Sequence, residues 1–220
     1  MSKIIPTKPL LVTLYGFPGA GKTHFSRQLS EHISSAHLNG DRIRAELFEN
    51  PRYDKHENDI INHLMQYMAE EFLKAGVSVV YDYNAMRASQ RRELREVVRR
   101  TKAQPMLIWL QIDADSAFAR LNSRDRRKAD DKYAMAYDKK SFADTIAQMQ
   151  NPQITENYIV ISGKHTFNTQ RSAVVRKLYE LGLVGADSAT SRVIKPGMVN
   201  LIPQLNGGRV DLSRRNITIR

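Results

Sequence analysis

The stretch GFPGAGKT, residues 16–23, decides the fold, because it lies between the apolar run LLVTLY at residues 10–15 and a segment with helical spacing. It matches the pattern G-x-x-x-x-G-K-[ST] at every fixed position, and between a strand and a helix that pattern forms a phosphate-binding loop. Glycines let the backbone curl so that its N–H groups point at phosphates, and the helix N-terminus adds partial positive charge. Lys22 is expected to bridge the β- and γ-phosphates of ATP, with the Thr23 hydroxyl on Mg²⁺. The loop residues predicted to hold the nucleotide are Gly16, Gly19, Ala20, Gly21, Lys22 and Thr23.

Strand-like and helix-like segments alternate along the chain around this loop. The β-branched run at residues 77–82 predicts a strand, and the apolar runs at 105–113 and 156–162 have the pattern of strands buried on both faces. With strands at 10–15 and 36–40, they predict an α/β fold in three layers, built on a parallel sheet of about five strands. Helices are predicted after the loop to about residue 34, from about 41, and at about 57–74, 88–101 and 168–181.

Composition limits the class of protein. The chain has 220 residues, 41% of them apolar and none of them cysteine, which predicts one core domain at 1–189 with an extension at 190–220. No run of about 18 apolar residues offers a membrane span and no secretory signal is visible, so a cytoplasmic protein without a membrane partner is expected. The net charge of +11 indicates anionic partners such as nucleotides, phosphorylated metabolites or nucleic acid.

The extension at 190–220 is strongly basic and has alternating apolar residues around the turn signal NGG at 206–208, which predicts a small β-appendage. A hairpin there would present several cations on one face and bind a polyanion. The alternative is that it covers a sheet edge or mediates dimer contacts.

Asp41 and Arg44 are the first candidates for the acceptor side of a reaction. They follow the second predicted strand in the sequence DRIR, and their i, i+3 spacing places them on one helical turn facing the phosphate loop. Asp41 would accept the proton of an attacking hydroxyl, and Arg44 would hold an acceptor phosphate or orient the acid. The alternative is an N-cap aspartate with a surface arginine.

Asp82 and Asn84 end the third predicted strand in the sequence DYN, from which a carboxylate can reach a Mg²⁺-bound water or support the acceptor site. We expect Asp82 to be a magnesium residue and Asp82, Asn84 and Arg87 to bind substrate. A turn-forming Asp/Asn pair is the alternative for the first two. Arg87, Arg91 and Arg92 either bind an anion or solvate the helix.

A lid is predicted at about residues 120–140, where arginines follow the fourth strand and a short helix. Arginines delivered from a lid stabilise charge on a transferring phosphoryl group, so Arg124 is predicted to be catalytic and to contact the nucleotide. The acids Asp125, Asp130 and Asp131 indicate instead that some of these arginines pair locally.

GFPGAGKT, DRIR, VVYDYN with the following Arg91-Arg92, and RLNSR together resemble the polynucleotide-kinase-like branch of P-loop kinases, which includes zeta-toxin-like and antibiotic phosphotransferase relatives. The resemblance covers roughly residues 10–181 and implies the P-loop NTPase fold with strand order 2-3-1-4-5. It also implies Asp41 as general base, Arg44 on the acceptor phosphate and Arg124 in the lid. The chain departs from phage-type polynucleotide kinases in having no D-x-D-x-T phosphatase motif, so 3′-end processing is not expected.

The sequence therefore predicts a kinase that uses ATP and Mg²⁺ to phosphorylate a hydroxyl, with a 5′-hydroxyl polynucleotide or nucleoside-like acceptor favoured. The alternatives are a kinase of a small molecule such as a sugar, nucleotide-sugar or antibiotic, and a nucleic-acid-binding ATPase. A GTPase is disfavoured because no N-K-x-D motif is present, and an ATPase motor because Asp82 and Asp113 are not followed by glutamate at the strand ends.

Overall fold

The computed structural model describes residues 3–83, 85–125, 127–128 and 131–185. Asn84 and the predicted appendage at 190–220 lie outside these residues. The strands are β1 Leu10–Tyr15, β2 Ser35–Asn39, β3 Ser78–Asp82, β4 Gln104–Gln111 and β5 Tyr158–Ser162. The α-helices are α1 Lys22–His32, α2 Gly40–Leu47, α3 Lys55–Lys74, α4 Ala88–Thr101, α5 Ala114–Asn122, α6 Lys139–Ala147 and α7 Phe167–Glu180. A short 3₁₀ helix spans Ile154–Glu156.

The five strands form one parallel sheet in the order β2-β3-β1-β4-β5, which confirms the predicted α/β class and strand order. Because all strands run in the same direction, their carboxyl ends meet at one edge of the sheet. The phosphate loop leaves β1 at this edge, Asn39 ends β2 and Asp82 ends β3. The register pairs Asn39 directly with Asp82, so the two predicted halves of the site are adjacent.

Strand β1 divides the hydrophobic core into the two packed layers that this fold requires. Its side chains alternate, and Leu10, Val12 and Leu14 pack in the cluster that includes residues of α1, α5 and α7. Leu11 packs in the other cluster, with α3 and α4. All six residues of β1 are buried, so the strand that positions the phosphate loop lies at the centre of the domain.

Strand β5 does not fit the prediction of a strand buried on both faces. Of its five residues only Ile161 is buried, and Val160 is 50% exposed. The reason is its place at the edge of the sheet, where it pairs with β4 alone. An apolar run of strand length does not distinguish a central strand from an edge strand. None of the described helices is long and apolar enough to cross a membrane.

Candidate active site

The phosphate loop connects β1 to α1 with glycines in backbone conformations that other residues rarely adopt. Gly19 has φ of 84°, and a Cβ there would overlap the carbonyl oxygen of Ala117 in α5. Gly21 has φ of 91° at the N-cap of α1. The Lys22 side chain folds back over the loop and donates to the carbonyl oxygens of Gly16 at 2.8 Å and Phe17 at 2.9 Å. The loop thus has a defined shape with the lysine ammonium inside it.

Helix α2 begins one residue before Asp41, and Asn39 is its N-cap. The Oδ1 of Asn39 accepts from the backbone N–H of Arg42 at 2.7 Å, and its Nδ2 donates to Asp82 Oδ2 at 2.6 Å. The alternative of Asp41 as N-cap is therefore wrong, because the asparagine two residues earlier already performs that role. The Asp41 carboxylate lines the cleft instead.

A cleft of about 870 Å³ lies above the carboxyl edge of the sheet. Most of the residues predicted for the site line it, although they come from four separate parts of the chain. They are Gly19, Gly21, Lys22, Thr23, Asp41, Arg44, Asp82, Arg87 and Arg124. Gly16 and the buried Ala20 belong to the loop but are not among the lining residues.

The charges in the cleft are strongly coupled. Burial raises the pKa of Asp41 to about 6, with repulsion from Asp82 adding to it, whereas Arg44, Arg124 and Lys22 oppose the shift. Burial also lowers the pKa of Lys22 to about 8, against the attraction of Asp82. A carboxylate whose pKa lies just below neutral is suited to take a proton and release it again.

Asp82 is suited to a magnesium site. It is 7% exposed, and its Oδ2 lies 3.4 Å from His37 Nε2 in addition to the contact with Asn39. Asp82 and the Thr23 hydroxyl line the same cleft, and oxygen ligands are those that Mg²⁺ prefers. A cation there would relieve the repulsion between Asp82 and Asp41. No cluster of three or more His, Cys, Asp or Glu fit for a metal occurs among the described residues, and Mg²⁺ in kinases needs few protein ligands because phosphates and water supply the rest.

Arg44 lines the cleft but is almost completely buried. Its guanidinium donates to Glu57 Oε2 at 2.9 Å, Asn58 Oδ1 at 2.6 Å and the Tyr83 hydroxyl at 2.7 Å. It also lies over the ring of Tyr53, 4.7 Å from the centroid. The alternative of a surface arginine is therefore wrong, since Arg44 is 1% exposed.

Two other predicted arginines, Arg87 and Arg91, have different surroundings in the structure. Arg87 lines the cleft and donates to Gln148 Oε1. Arg91, in contrast, is buried behind it and pairs with Glu156 through Nε at 2.7 Å and Nη2 at 3.0 Å. Arg91 also donates to the carbonyl oxygen of Ala85, so its guanidinium is held by groups of the protein and neither binds an anionic ligand nor solvates the helix.

The arginines of the predicted lid also differ in their contacts. Arg124 lines the cleft while its Nη1 donates to the carbonyl oxygen of Met135 at 3.0 Å. Its Nε lies 3.5 Å from Asp131 Oδ1, and Arg127 pairs with Asp125 at 2.9 Å, so local pairing occurs as the alternative interpretation expects. Arg126 and Asp130 lie outside the described residues.

Arg44 is held in place by three residues that were not predicted from the sequence, Glu57, Asn58 and Tyr83. A signal for Glu57 was present, because it falls on the buried stripe of α3 that continues at i+4 intervals through apolar residues. A charge on such a stripe requires a buried partner. Its partner could not be chosen among the many arginines from sequence spacing alone.

A family described as "AAA domain" matches residues 11–152, which is more than half of the chain. The chain belongs to that family. Its phosphate loop and strand order are those of a P-loop kinase. A probable adenylyl-sulfate kinase from Pyrococcus abyssi is 24% identical over 180 residues, which cover 78% of this chain and 95% of that protein.

Solved structures share the fold. The adenylyl-sulfate (APS) kinase of Mycobacterium tuberculosis, solved with AMPPNP and APS, has a TM-score of 0.58 at 17% identity and covers 80% of this chain and 99% of that one. A gluconokinase from Sinorhizobium meliloti 1021 has a TM-score of 0.58 at 14% identity and covers 79% of this chain and 93% of that one. At these identities the likeness shows the fold, and the acceptor must be argued from the site.

Proposed function

We propose that this P-loop kinase transfers the γ-phosphoryl group of ATP to a hydroxyl of a small polar molecule bound in the cleft. The observation that carries the proposal is the Asp41 carboxylate, which lines the same cleft as Lys22 and Thr23 and has its pKa raised to about 6. The similarity to a probable adenylyl-sulfate kinase over most of its length supports a small acceptor.

Lys22 and the loop N–H groups hold the phosphates, and Arg124 approaches them from the lid side. The acceptor hydroxyl attacks the γ-phosphorus while Asp41 takes its proton. One bond forms between the acceptor oxygen and phosphorus, and the bond from phosphorus to the β–γ bridging oxygen breaks, so ADP leaves. Mg²⁺, held by Thr23 and Asp82 with the phosphates, would neutralise charge on the phosphate oxygens.

A 5′-hydroxyl polynucleotide or nucleoside-like acceptor is the second candidate, favoured by the net charge of +11. Arg44, the residue predicted to contact an acceptor phosphate, already has a buried carboxylate partner. The basic extension that would bind the rest of a polynucleotide lies outside the described residues. We therefore place the small acceptor first.

A screen of acceptor-dependent ADP release tests both candidates, with sugars, polyols, nucleosides, aminoglycosides and a 5′-hydroxyl oligonucleotide offered to the full chain. The small-molecule proposal expects ATP to be retained until a small acceptor is added. If only the oligonucleotide supports turnover, with an affinity that falls steeply with salt and weakens on truncation after Ala189, the second candidate is correct. Phosphate release without any acceptor would overturn both in favour of an ATPase.

A further inference from the structure

We propose that the acceptor side of the cleft selects an uncharged, hydroxyl-bearing molecule, and that Glu57 sets this preference by neutralising Arg44. This inference rests on the proposed function and goes further, because it assigns a specificity role to a residue that does not itself line the cleft. It also reverses the expectation that Arg44 attracts an acceptor phosphate.

The ion pair between Arg44 and Glu57 is close and fully enclosed. The two side chains are each 2% exposed, and Nη1 of Arg44 lies 2.9 Å from Oε2 of Glu57. Glu57 also accepts the backbone N–H groups of Arg52 at 2.8 Å and Tyr53 at 2.9 Å. Burial alone would raise the pKa of Glu57, but these N–H groups and Arg44 outweigh it and lower the pKa below the ordinary value. Glu57 is therefore ionised, and the pair has no net charge.

The neutral pair matters because Arg44 lines the cleft. A buried arginine without a counter-ion would attract an anionic acceptor strongly, since charges interact more in a desolvated site. With Glu57 ionised, the Arg44–Glu57 pair presents no net charge to the cleft, and the acceptor meets hydrogen-bonding groups of fixed direction instead. The Nε–H of Arg44 has no acceptor among the described residues, but the nitrogen is itself buried, so Arg44 acts on the cleft through its charge rather than through this donor.

The neighbouring wall of the cleft is polar, and its charges balance apart from the positive charge of Arg87. Helix α3 contributes the uncharged Asn58 and Asn62, together with Lys55 and Asp59, whose opposite charges are four residues apart. Helix α4 contributes the uncharged Ser89 and Gln90 near its N-terminus, and the exposed Arg87 that precedes it donates to Gln148, whose neutral amide leaves the positive charge of Arg87 in place. Amide and hydroxyl groups in this number match the hydroxyls of a sugar or polyol better than they match a phosphate or carboxylate.

Glu57→Gln tests the charge role with the smallest change of shape, although its single amide oxygen can replace only one of the two carboxylate oxygens, which accept separately from the N–H groups of Arg52 and Tyr53. The matched control is Glu70→Gln, since Glu70 lies on the same helix and also pairs with an arginine, Arg100, at 2.7 Å. Inorganic phosphate is titrated by calorimetry into each full-length protein saturated with Mg·AMPPNP, so that the phosphate loop is occupied. We expect Glu57→Gln to tighten phosphate binding about tenfold or more, the effect of one uncompensated charge-assisted contact, and Glu70→Gln to match the wild type.

The double variant Arg44→Met/Glu57→Gln decides the matter even where Glu57→Gln alone does not fold. Removing both charges should leave phosphate binding as weak as in the wild type. If the double variant loses a phosphate site that the loaded wild type possesses, Arg44 is an anion ligand and the inference is wrong. Unchanged phosphate binding in a folded Glu57→Gln protein would also overturn it.

A kinetic arm uses matched acceptors, glucose against glucose 6-phosphate and glycerol against glycerate. We expect the wild type to have the higher kcat/KM for the neutral member of a pair, and Glu57→Gln to shift the ratio toward the anion by about tenfold through KM. A wild-type preference for the anions would contradict the inference. If neither member of any pair is phosphorylated, the proposed function is in question, and the phosphate titration still decides the role of Glu57.

Discussion

The two halves of the cleft are built in different ways. The nucleotide half comes from a single run of eight residues, 16–23, whose glycine conformations and following helix create the site locally. The acceptor half depends on Arg44, Glu57, Asn58 and Tyr83, which come from α2, α3 and the end of β3. A site of the first kind is recognisable from sequence, whereas one of the second kind exists only after the chain has folded.

The largest effect is expected in the nucleotide half. Lys22→Ala should lower phosphotransfer on the order of 10³-fold or more, because it removes the positive charge at the developing phosphate anion. The lost hydrogen bonds to Gly16 and Phe17 are in the loop and leave no core cavity, so the variant should remain folded. Single-turnover phosphotransfer measures the loss of activity, and thermal unfolding shows whether the variant is folded. Near-normal transfer would mean that this loop is not the active site.

Asp41 lies where the halves meet, and its replacement should affect chemistry without nucleotide binding. Asp41→Asn keeps the shape of the side chain but cannot take a proton, so the chemical step should slow about 10²-fold or more. ATP affinity should stay within a few-fold of the wild type, which binding of a fluorescent nucleotide would measure. A loss of ATP binding would instead make Asp41 a structural or magnesium-shell residue, and an unchanged single-turnover rate would remove it from catalysis.

The same contrast explains what the sequence could predict. The strands and the phosphate loop follow from apolar runs and one motif, since each depends on residues close together in the chain, whereas the strand order was implied only by the resemblance to P-loop kinases. The pairing of Arg44 with Glu57, 13 residues away, could not be predicted, because the loop between α2 and α3 brings them together. Arg91 and Arg44 look alike in sequence as helix arginines, and only the fold assigns the first to Glu156 and the second to the wall of the cleft.

The pH dependence should report the two coupled groups. Asp41 must be deprotonated to act as base and has a pKa of about 6, so kcat/KM for ATP should fall as pH drops below about 6. Lys22 must be protonated to hold phosphate and has a pKa of about 8, so kcat/KM should also fall above about 8. On each side of the pH optimum, kcat/KM should change by up to about tenfold per pH unit. Asp41→Asn should abolish the fall at acidic pH and leave the fall at alkaline pH unchanged. A wild-type profile that stays flat from pH 5 to 7 would contradict the assignment of Asp41.

The smallest effect on catalysis is expected at the second buried ion pair, Arg91 with Glu156, which tests whether any buried arginine pair near the cleft sets specificity. Its side chains are 2% and 6% exposed, much like those of Arg44 and Glu57, but neither residue lines the cleft. Glu156→Gln should therefore change kcat/KM for every acceptor by less than about twofold, while it lowers the free energy of unfolding by about 3 kcal/mol, as breaking a buried pair does.

The pH dependence of that stability difference provides the control. Burial alone would raise the pKa of Glu156, but hydrogen bonds from Arg91 and the Gln153 N–H outweigh it and lower the pKa to about 2, from an ordinary 4.5. A depressed carboxyl pKa stabilises the folded state fully above the unfolded value, and the contribution is lost as pH falls toward the folded value. The difference in unfolding free energy between wild type and Glu156→Gln, measured in urea, should thus be largest near pH 7 and shrink below about pH 4.5. If Glu156→Gln instead shifts the ratio of neutral to anionic acceptors as Glu57→Gln does, loss of rigidity rather than the charge on Arg44 explains the specificity, and the distinction between the two pairs fails.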